Sequence, residues 1–418
     1  MHAEIITGAP ASPQQAAAAL RGLIPDGDSV SAAVAEIITA VRTGGDSAVE
    51  HYTRLHDTRG AAPKPLRVSD SELQAALSVL DPQVKHGLTV ANHNISTVAK
   101  AAIRNDVKVD FQTHSVTVRE APVRRGAVYV PGGRAPYPST VVMGVATARA
   151  AGVGQVAVCA PLGPDGDVNP VILATCALTG ADEVYRMGGA QAIAALALGT
   201  QTVNAVDVIV GPGNLYVQEA KRQLSGQVGI DSFAGPSDLL AIADASFPVE
   251  QLALDLLAQA EHGPGTLVVG VSTDLELLQA LQQRLSTQLP DTQAVCRLLH
   301  APDLDYALEL AEQFAPEHLE LLGPLAEQLS ARITRSGCVF IGTGTAFGDY
   351  IAGSNHTLPT SGCARFASTL GPHHFRRVFT EVRIPQAGPL ARAAAPVARA
   401  EGFELHARSM ESRISDNL

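Results

Sequence analysis

The chain has 418 residues, 30 basic and 41 acidic, for a formal net charge of −11. That length predicts more than one core, because chains beyond about 250–300 residues usually divide into domains. No basic cluster and no aromatic–basic interleaving accompanies the acidic balance, which argues against a nucleic-acid or anionic-membrane partner and leaves small molecules as the expected ligands.

The opening "MHAEIITGAPASPQQ" lacks a basic n-region and an apolar h-region, and no run of apolar residues is long enough to span a bilayer. A soluble, cytoplasmic protein is expected. Cys159, Cys176, Cys296, Cys338 and Cys363 are odd in number and show no CxxC spacing, which fits reduced thiols serving as small core residues. Residues 31–55, "SAAVAEIITAVRTGGDSAVEHYTRL", carry apolar side chains at helical spacing broken at Gly44-Gly45, and further helical stretches run to about residue 104.

From "GAVYVPGG" onward, Val-rich runs alternate with Ala-rich helical stretches, the texture of βαβ units around a parallel sheet. Three runs end alike. "VYVPGGRAPYPST", "VYRMGGAQAIAAL" and "VIVGPGNLYVQEA" each predict a strand, a tight glycine turn and a helix N-terminus. One such turn is only a strand-to-helix connection. Three in tandem, at the carboxyl ends of parallel strands where ligands sit, predict that Tyr129, Gln191 and Asn214 converge on a ligand. "GVGQVA" at 152–157 matches GxGxxA but follows a helix and precedes a strand, the wrong order for a dinucleotide fingerprint. Neither GxxxxGK[ST] nor HExxH occurs.

The alternation resumes after "GIDSFAGPSDLLAIAD": a helix to Gly263, a strand "TLVVGVS", a helix over 273–287, an apolar run at 295–299, a helix over 303–314 and a strand "GCVFIG". No repeat in sequence relates this second layer to the first. The chain ends in an Ala- and Arg-rich stretch that predicts a separate helical tail carrying His406.

Two segments hold the candidate chemistry. In "LLAQAEHGPG", Gln259 and His262 stand three apart on one helix face, and Gly263-Pro264 ends the helix. In "FAPEHLEL", Glu317 and His318 are adjacent, and on a helix they point about 100° apart, suited to two different proton transfers; the same letters also read as an ordinary Pro-initiated helix start. His262, His318, His356 and His406 lie in polar contexts, each alone readable as a cap or a surface histidine. Together they suggest metal or acid–base work, and a hard or borderline cation such as Zn2+ could take Gln259 oxygen, His262 nitrogen, Asp349 oxygen and a further imidazole, without thiolate.

The motifs "YVPGGRAPYPSTVVM", "GGAQAIAALALGT", "GPGNLYVQEAKRQL", "AGPSD", "QAEHGP", "APEHLE", "GDYIAGSNHTLPT" and "EGFELHARS" resemble, in order, those of histidinol dehydrogenases. The resemblance implies oxidation of L-histidinol through L-histidinal to L-histidine with two NAD reduced, one Zn2+ per site and a homodimer with shared active sites; the alternative is a related NAD- and zinc-dependent dehydrogenase of another amino alcohol. It implies Gln259, His262 and Asp349 as zinc ligands with His406 from the partner, Glu317 activating water, and His318 as base. It also implies Ser237, His356 and Glu401 at the substrate, together with the four zinc ligands and His318, and Tyr129, Gln191 and Asn214 at NAD. The implied fold is α/β: two parallel-sheet Rossmann-like domains lacking the dinucleotide fingerprint, with small helical N- and C-terminal pieces. Its expected boundaries are an N-terminal segment 1–14, a first domain 15–125 and 238–370 with the metal and catalytic residues, a second domain 126–237 with the NAD loops, and a helical tail 371–418 reaching the partner. Asp238 stands where the usual "AGPSE" has the longer acid, a change expected to matter little, and the loop before Asp349 looks slightly short. A cysteine-dependent aldehyde dehydrogenase needs a thiol in a basic setting, a metal-dependent hydrolase leaves the glycine turns unexplained, and a non-catalytic relative is expected to have lost Glu317 or His318.

Overall fold

The computed structural model describes residues 3–7, 12–24, 29–58, 64–132, 135–163, 165–232, 235–288 and 293–414. Its strands are β1 (Ala3–Ile6), β2 (Val107–Asp110), β3 (Ser115–Pro122), β4 (Arg125–Tyr129), β5 (Gln155–Ala160), β6 (Glu183–Arg186) and β7 (Val208–Val210). They continue with β8 (Gly229–Ile230), β9 (Asp238–Ala243), β10 (Leu267–Ser272), β11 (Val295–His300), β12 (His318–Leu322), β13 (Cys338–Ile341) and β14 (Arg376–Arg383). The chain divides into two compact units, the first comprising residues 1–102 and 123–375 and the second residues 103–122 and 376–418.

The first unit holds two all-parallel sheets. One runs β6-β5-β4-β7-β8 and the other β1-β11-β10-β9-β12-β13. In each, the first strand of a βα series (β4, β9) is central, the next two lie to one side and the last two to the other. The two halves therefore share one doubly wound strand order, although no repeat is visible in their sequences; β1 is an addition at one edge, pairing in parallel with β11. Burial explains the Val- and Leu-rich strands, since helices cover both faces. Ala127 and Tyr129 of β4 enter one core and Val128 the opposite one, and Leu240 and Ile242 of β9 likewise oppose Leu239 and Ala241.

The three glycine turns fall where the sequence places them. β4 leads to the helix Pro138–Ala150, β6 to Gly189–Leu198 and β7 to Leu215–Leu224. "GVGQVA" joins the first of these helices to β5, the order that excludes a fingerprint. At Gly211 a side chain is impossible: φ is +115°, and a Cβ would stand 2.2 Å from the Tyr129 carbonyl oxygen.

Two expectations need correction. "PEHLE" is not a helix start, because His318–Leu322 is strand β12, fully buried between β9 and β13; the run "HLELL" is short and apolar, and length, not periodicity, separates a buried strand from a helix. The tail from residue 371 is not helix throughout. Arg376–Arg383 forms β14, antiparallel to β3, and only then follow the helices Ala387–Ala400 and Glu404–Glu411. In this second unit, period-2 alternation places Val107, Val109, Val118, Val378 and Val382 on one sheet face, all exposed.

Candidate active site

The catalytic candidates collect at the amino ends of β9 and β12. Glu317 and His318 are 7 % and 2 % exposed, and Gln259, on the helix Val249–Ala260, is 1 % exposed. The Glu317 carboxylate accepts hydrogen bonds from Ser237 Oγ and, at 3.0 Å, from the Asp238 amide. Asp238 returns the contact, its Oδ1 accepting the Glu317 amide at 2.8 Å. This clasp fixes the carboxylate before any ligand arrives.

Asp238 is also tied to the N-terminal helix. Its other oxygen pairs with Arg21 from the N-terminal helix and accepts the Ser361 amide at 3.3 Å. Arg21 also donates to the Phe314 carbonyl at 2.7 Å and lies 3.6 Å over the Phe314 ring. Nothing in the sequence signals Arg21; Asp238 stands out there only as a departure.

His318 sits between carboxylates. Its Nδ1 is 3.6 Å from Glu317 Oε2 and its Nε2 is 3.4 Å from Asp349 Oδ1. Burial pushes Glu317 up to about 7 against the lowering charge of His318. Burial pulls the His318 imidazolium down, but Glu317 and Asp349 outweigh it and carry the group up to about 9. For Asp349, burial favours protonation, yet the hydrogen bond and charge of His318 hold it below the usual carboxylate range. Between about pH 7 and 9 the pair is carboxylate and imidazolium, so His318 accepts a proton only after losing one.

Asp349 lies on the short helix Ala346–Tyr350. The loop before it is held by Glu320 of β12, whose Oε1 accepts the Thr345 amide at 2.9 Å. Burial, with the Asp255 charge, pushes Glu320 up to about 8.

Gln259 and His262 share the helix end the sequence indicates. Gln259 Nε2 donates to Ser237 Oγ at 2.6 Å, and its Oε1 is buried without a hydrogen-bond partner. His262 Nδ1 lies 3.0 Å from the Gln259 carbonyl, a donor role that makes Nε2 the acceptor nitrogen. Among the described residues no three His, Cys, Asp or Glu side chains gather at metal-binding distance. Of the implied ligand set, this unit holds the His262 imidazole, the Asp349 carboxylate and the orphaned Gln259 amide oxygen. That chemistry suits a borderline ion, and the orphaned oxygen is a lone pair whose burial has a cost until something positive meets it.

His356 joins the two sheets. Its Nδ1 is 3.0 Å from the Asp349 carbonyl and its Nε2 3.3 Å from Thr140 Oγ1, while Asn355 Nδ2 donates to the Met143 carbonyl at 3.1 Å. Thr140 and Met143 belong to the helix that leaves the first glycine turn, and that turn lines a cleft of about 970 Å³.

The cleft follows the carboxyl ends of β4, β5, β6 and β7, and Tyr129, Gln191 and Asn214 all line it. Tyr129 accepts the Gly189 amide at 3.1 Å. Gln191 is 1 % exposed with Nε2 lacking a partner, and Asn214 caps the helix it begins, accepting the Tyr216 amide at 3.1 Å. The volume lies within the roughly 300–1,000 Å³ of small-molecule sites. Glu401 and His406 belong to the second unit, where both are exposed, with His406 5.2 Å from the Phe403 ring. Cys159, Cys176 and Cys296 are buried and Cys338 is pushed up to about 11 by burial, so none of these four has the low-pKa setting of a nucleophile.

Two doubly wound halves, with a ligand-sized cleft on one and a buried carboxylate–imidazole pair on the other, define an α/β protein equipped for small-molecule binding and proton transfer. The comparisons give the family: the family model described as Histidinol dehydrogenase matches residues 25–414. Curated relatives called histidinol dehydrogenase include those of Parasynechococcus marenigrum, 43 % identical over 91 % of this chain and 90 % of that one, and Aromatoleum aromaticum, 43 % identical over 93 % and 92 %. The crystal structure of histidinol dehydrogenase from Elizabethkingia anophelis superimposes with a TM-score of 0.90 at 30 % identity, covering 99 % of this chain and 98 % of that one. The chain belongs to the histidinol dehydrogenase family and is thereby an oxidoreductase of histidine biosynthesis.

Proposed function

We propose that the chain oxidises L-histidinol to L-histidinal and then to L-histidine, reducing one NAD at each step, with Zn2+ and a second copy of itself completing the site. The observation that carries this is the buried Glu317–His318 pair beside Gln259, whose side-chain amide oxygen Oε1 is buried and unpartnered.

In the first step the carbinol carbon gives a hydride to the dinucleotide and the hydroxyl gives its proton to His318. Asp349 and the Asp238 carbonyl, at 3.4 and 3.3 Å from the ring nitrogens, orient that imidazole. In the second step water adds to the aldehyde, its proton passing to Glu317, and the hydrated carbon gives up the second hydride. Ser237 and the Asp238 amide keep the carboxylate aimed. Each step removes two electrons, so alcohol to carboxylate requires two hydride acceptors. Gln259, His262 and Asp349 would hold the cation, which when bound supplies a template for the amine and imidazole nitrogens of the substrate. His356 and Ser237 border that position, and Tyr129, Gln191 and Asn214 would hold NAD in the cleft.

Two features of the second unit support sharing. His406 and Glu401 are exposed in the second unit, and an exposed apolar sheet face of the kind formed by Val107, Val109, Val118, Val378 and Val382 is more often covered by a partner than left in water. A homodimer in which His406 and Glu401 reach the partner's site accounts for both. Among the described residues no helix is long and apolar enough to cross a membrane, which agrees with a cytoplasmic biosynthetic enzyme. The test is dinucleotide reduction with L-histidinol before chelation, after it and after zinc return. Activity lost and then restored, with the far-ultraviolet circular dichroism constant, supports the reading; full activity in metal-free protein overturns it.

A further inference from the structure

The cleft has an acid that neither the proton chemistry nor the glycine turns require. Asp57 follows the helix Asp46–His56 and lines the cleft, with the Leu162 amide just beyond the end of β5 beside its carboxylate. Its Oδ2 is buried without a hydrogen-bond partner. β5 is the second strand of its doubly wound half. In dinucleotide folds the carboxyl end of the second strand carries the acid that receives the ribose 2′-hydroxyl, and an arginine nearby is what accommodates a 2′-phosphate.

In this chain β5 ends at Ala160 and is followed by Pro161, with no acid of its own. The neighbouring helix delivers one to the same place. The cleft's charges point the same way: it is lined by Asp57, Asp165 and Asp167 and, among the described residues, by no lysine or arginine. Asp167 is neutralised by Lys64 and Arg186, at 2.6 and 2.7 Å. Among the described residues no cation pairs with Asp57 or Asp165. A sugar hydroxyl satisfies the orphaned oxygen, whereas a phosphate brings nearly two further negative charges against it.

We infer that Asp57 is the specificity-determining residue of the cleft, receiving the adenosine ribose hydroxyl of NAD and rejecting the 2′-phosphate of NADP. The inference rests on the dinucleotide reading of the cleft, and the experiment separates the two. ADP-ribose and its 2′-phosphate are titrated by calorimetry into the full-length protein and into Asp57→Asn, which keeps an oxygen for the Leu162 amide, and kcat/KM is measured with NAD and NADP. Wild type should bind ADP-ribose at least tenfold tighter than the 2′-phosphate, and the variant should reduce that difference to about threefold or less, with a parallel change in the kcat/KM ratio. Asp57→Glu, which keeps the charge, should retain the preference, and Asp57→Ser repeats the comparison should the Asn variant fold poorly. A folded neutral variant that discriminates as wild type does, or a wild type that binds both probes equally, overturns the inference and leaves the cleft a dinucleotide site. Binding of neither probe removes the dinucleotide reading and the inference with it.

Discussion

Replacing Arg21 by Met tests the clasp around Glu317. Arg21 lies outside the proton chemistry, yet it is the cation paired with Asp238, whose side chain is 2 % exposed and holds the Glu317 amide. Removing one partner of a buried pair costs roughly 3–5 kcal/mol, because the survivor is left charged in a poor solvent. Arg21 is itself 26 % exposed, so water reaches its end of the pair, and about 2–3 kcal/mol is the reasonable loss. Methionine keeps part of the packing over Phe314, which isolates the charge. Guanidinium unfolding reads the stability. The second readout is the pH profile of added histidinal: Glu317 must be ionised to take a proton from water, and burial already pushes it up to about 7. Without Arg21 the Asp238 charge is uncompensated, so the acid limb should move up by about one pH unit while the plateau above it largely survives. Stability within about 0.5 kcal/mol of wild type together with an unmoved limb would refute the clasp as the device that sets Glu317.

Glu317→Gln should slow oxidation of histidinal by about 10²–10⁴-fold, the usual worth of a general base, and histidinol oxidation to the aldehyde much less; equal loss in both half-reactions would contradict the division of roles. His318→Asn should harm both steps. The first step in wild type should quicken as pH rises through about 9, where the imidazolium held up by Glu317 and Asp349 loses its proton, and a profile flat from pH 7 to 10 would count against His318 as base. His262→Ala should lose zinc severely and Gln259→Ala modestly, imidazole being the stronger ligand, with metal content by mass spectrometry as the check. Mixing His406→Ala chains with Glu317→Gln chains under subunit exchange should restore activity towards about a quarter of wild type, since half the dimers are mixed and each keeps one intact site; confirmed exchange without activity would confine His406 to its own chain.

The strand-turn-helix texture, the glycine turns and the helix end at Gln259 and His262 were legible because each is local. Apolar period, turn residues and a Gly-Pro stop act within a few positions. The strand at His318–Leu322 was less so: five buried residues carry no period of their own, and pairing with β9 and β13 decides their state. The shared strand order of the two halves was hidden for a related reason, since topology constrains burial and not residue identity. Arg21, Asp57 and Glu320 stood out least. Arg21 meets Asp238 from 217 residues away, and the cost of burying a charge becomes visible only once the fold says which charges are buried.

The most direct test of the account is the stoichiometry of a limiting amount of L-histidinol in the zinc-loaded protein, following dinucleotide reduction and chromatographing the product. Two NADH should form per histidinol consumed, with L-histidine as the sole product and no accumulation of free aldehyde. One NADH per histidinol with aldehyde released to solution, or no reduction at all, would contradict it.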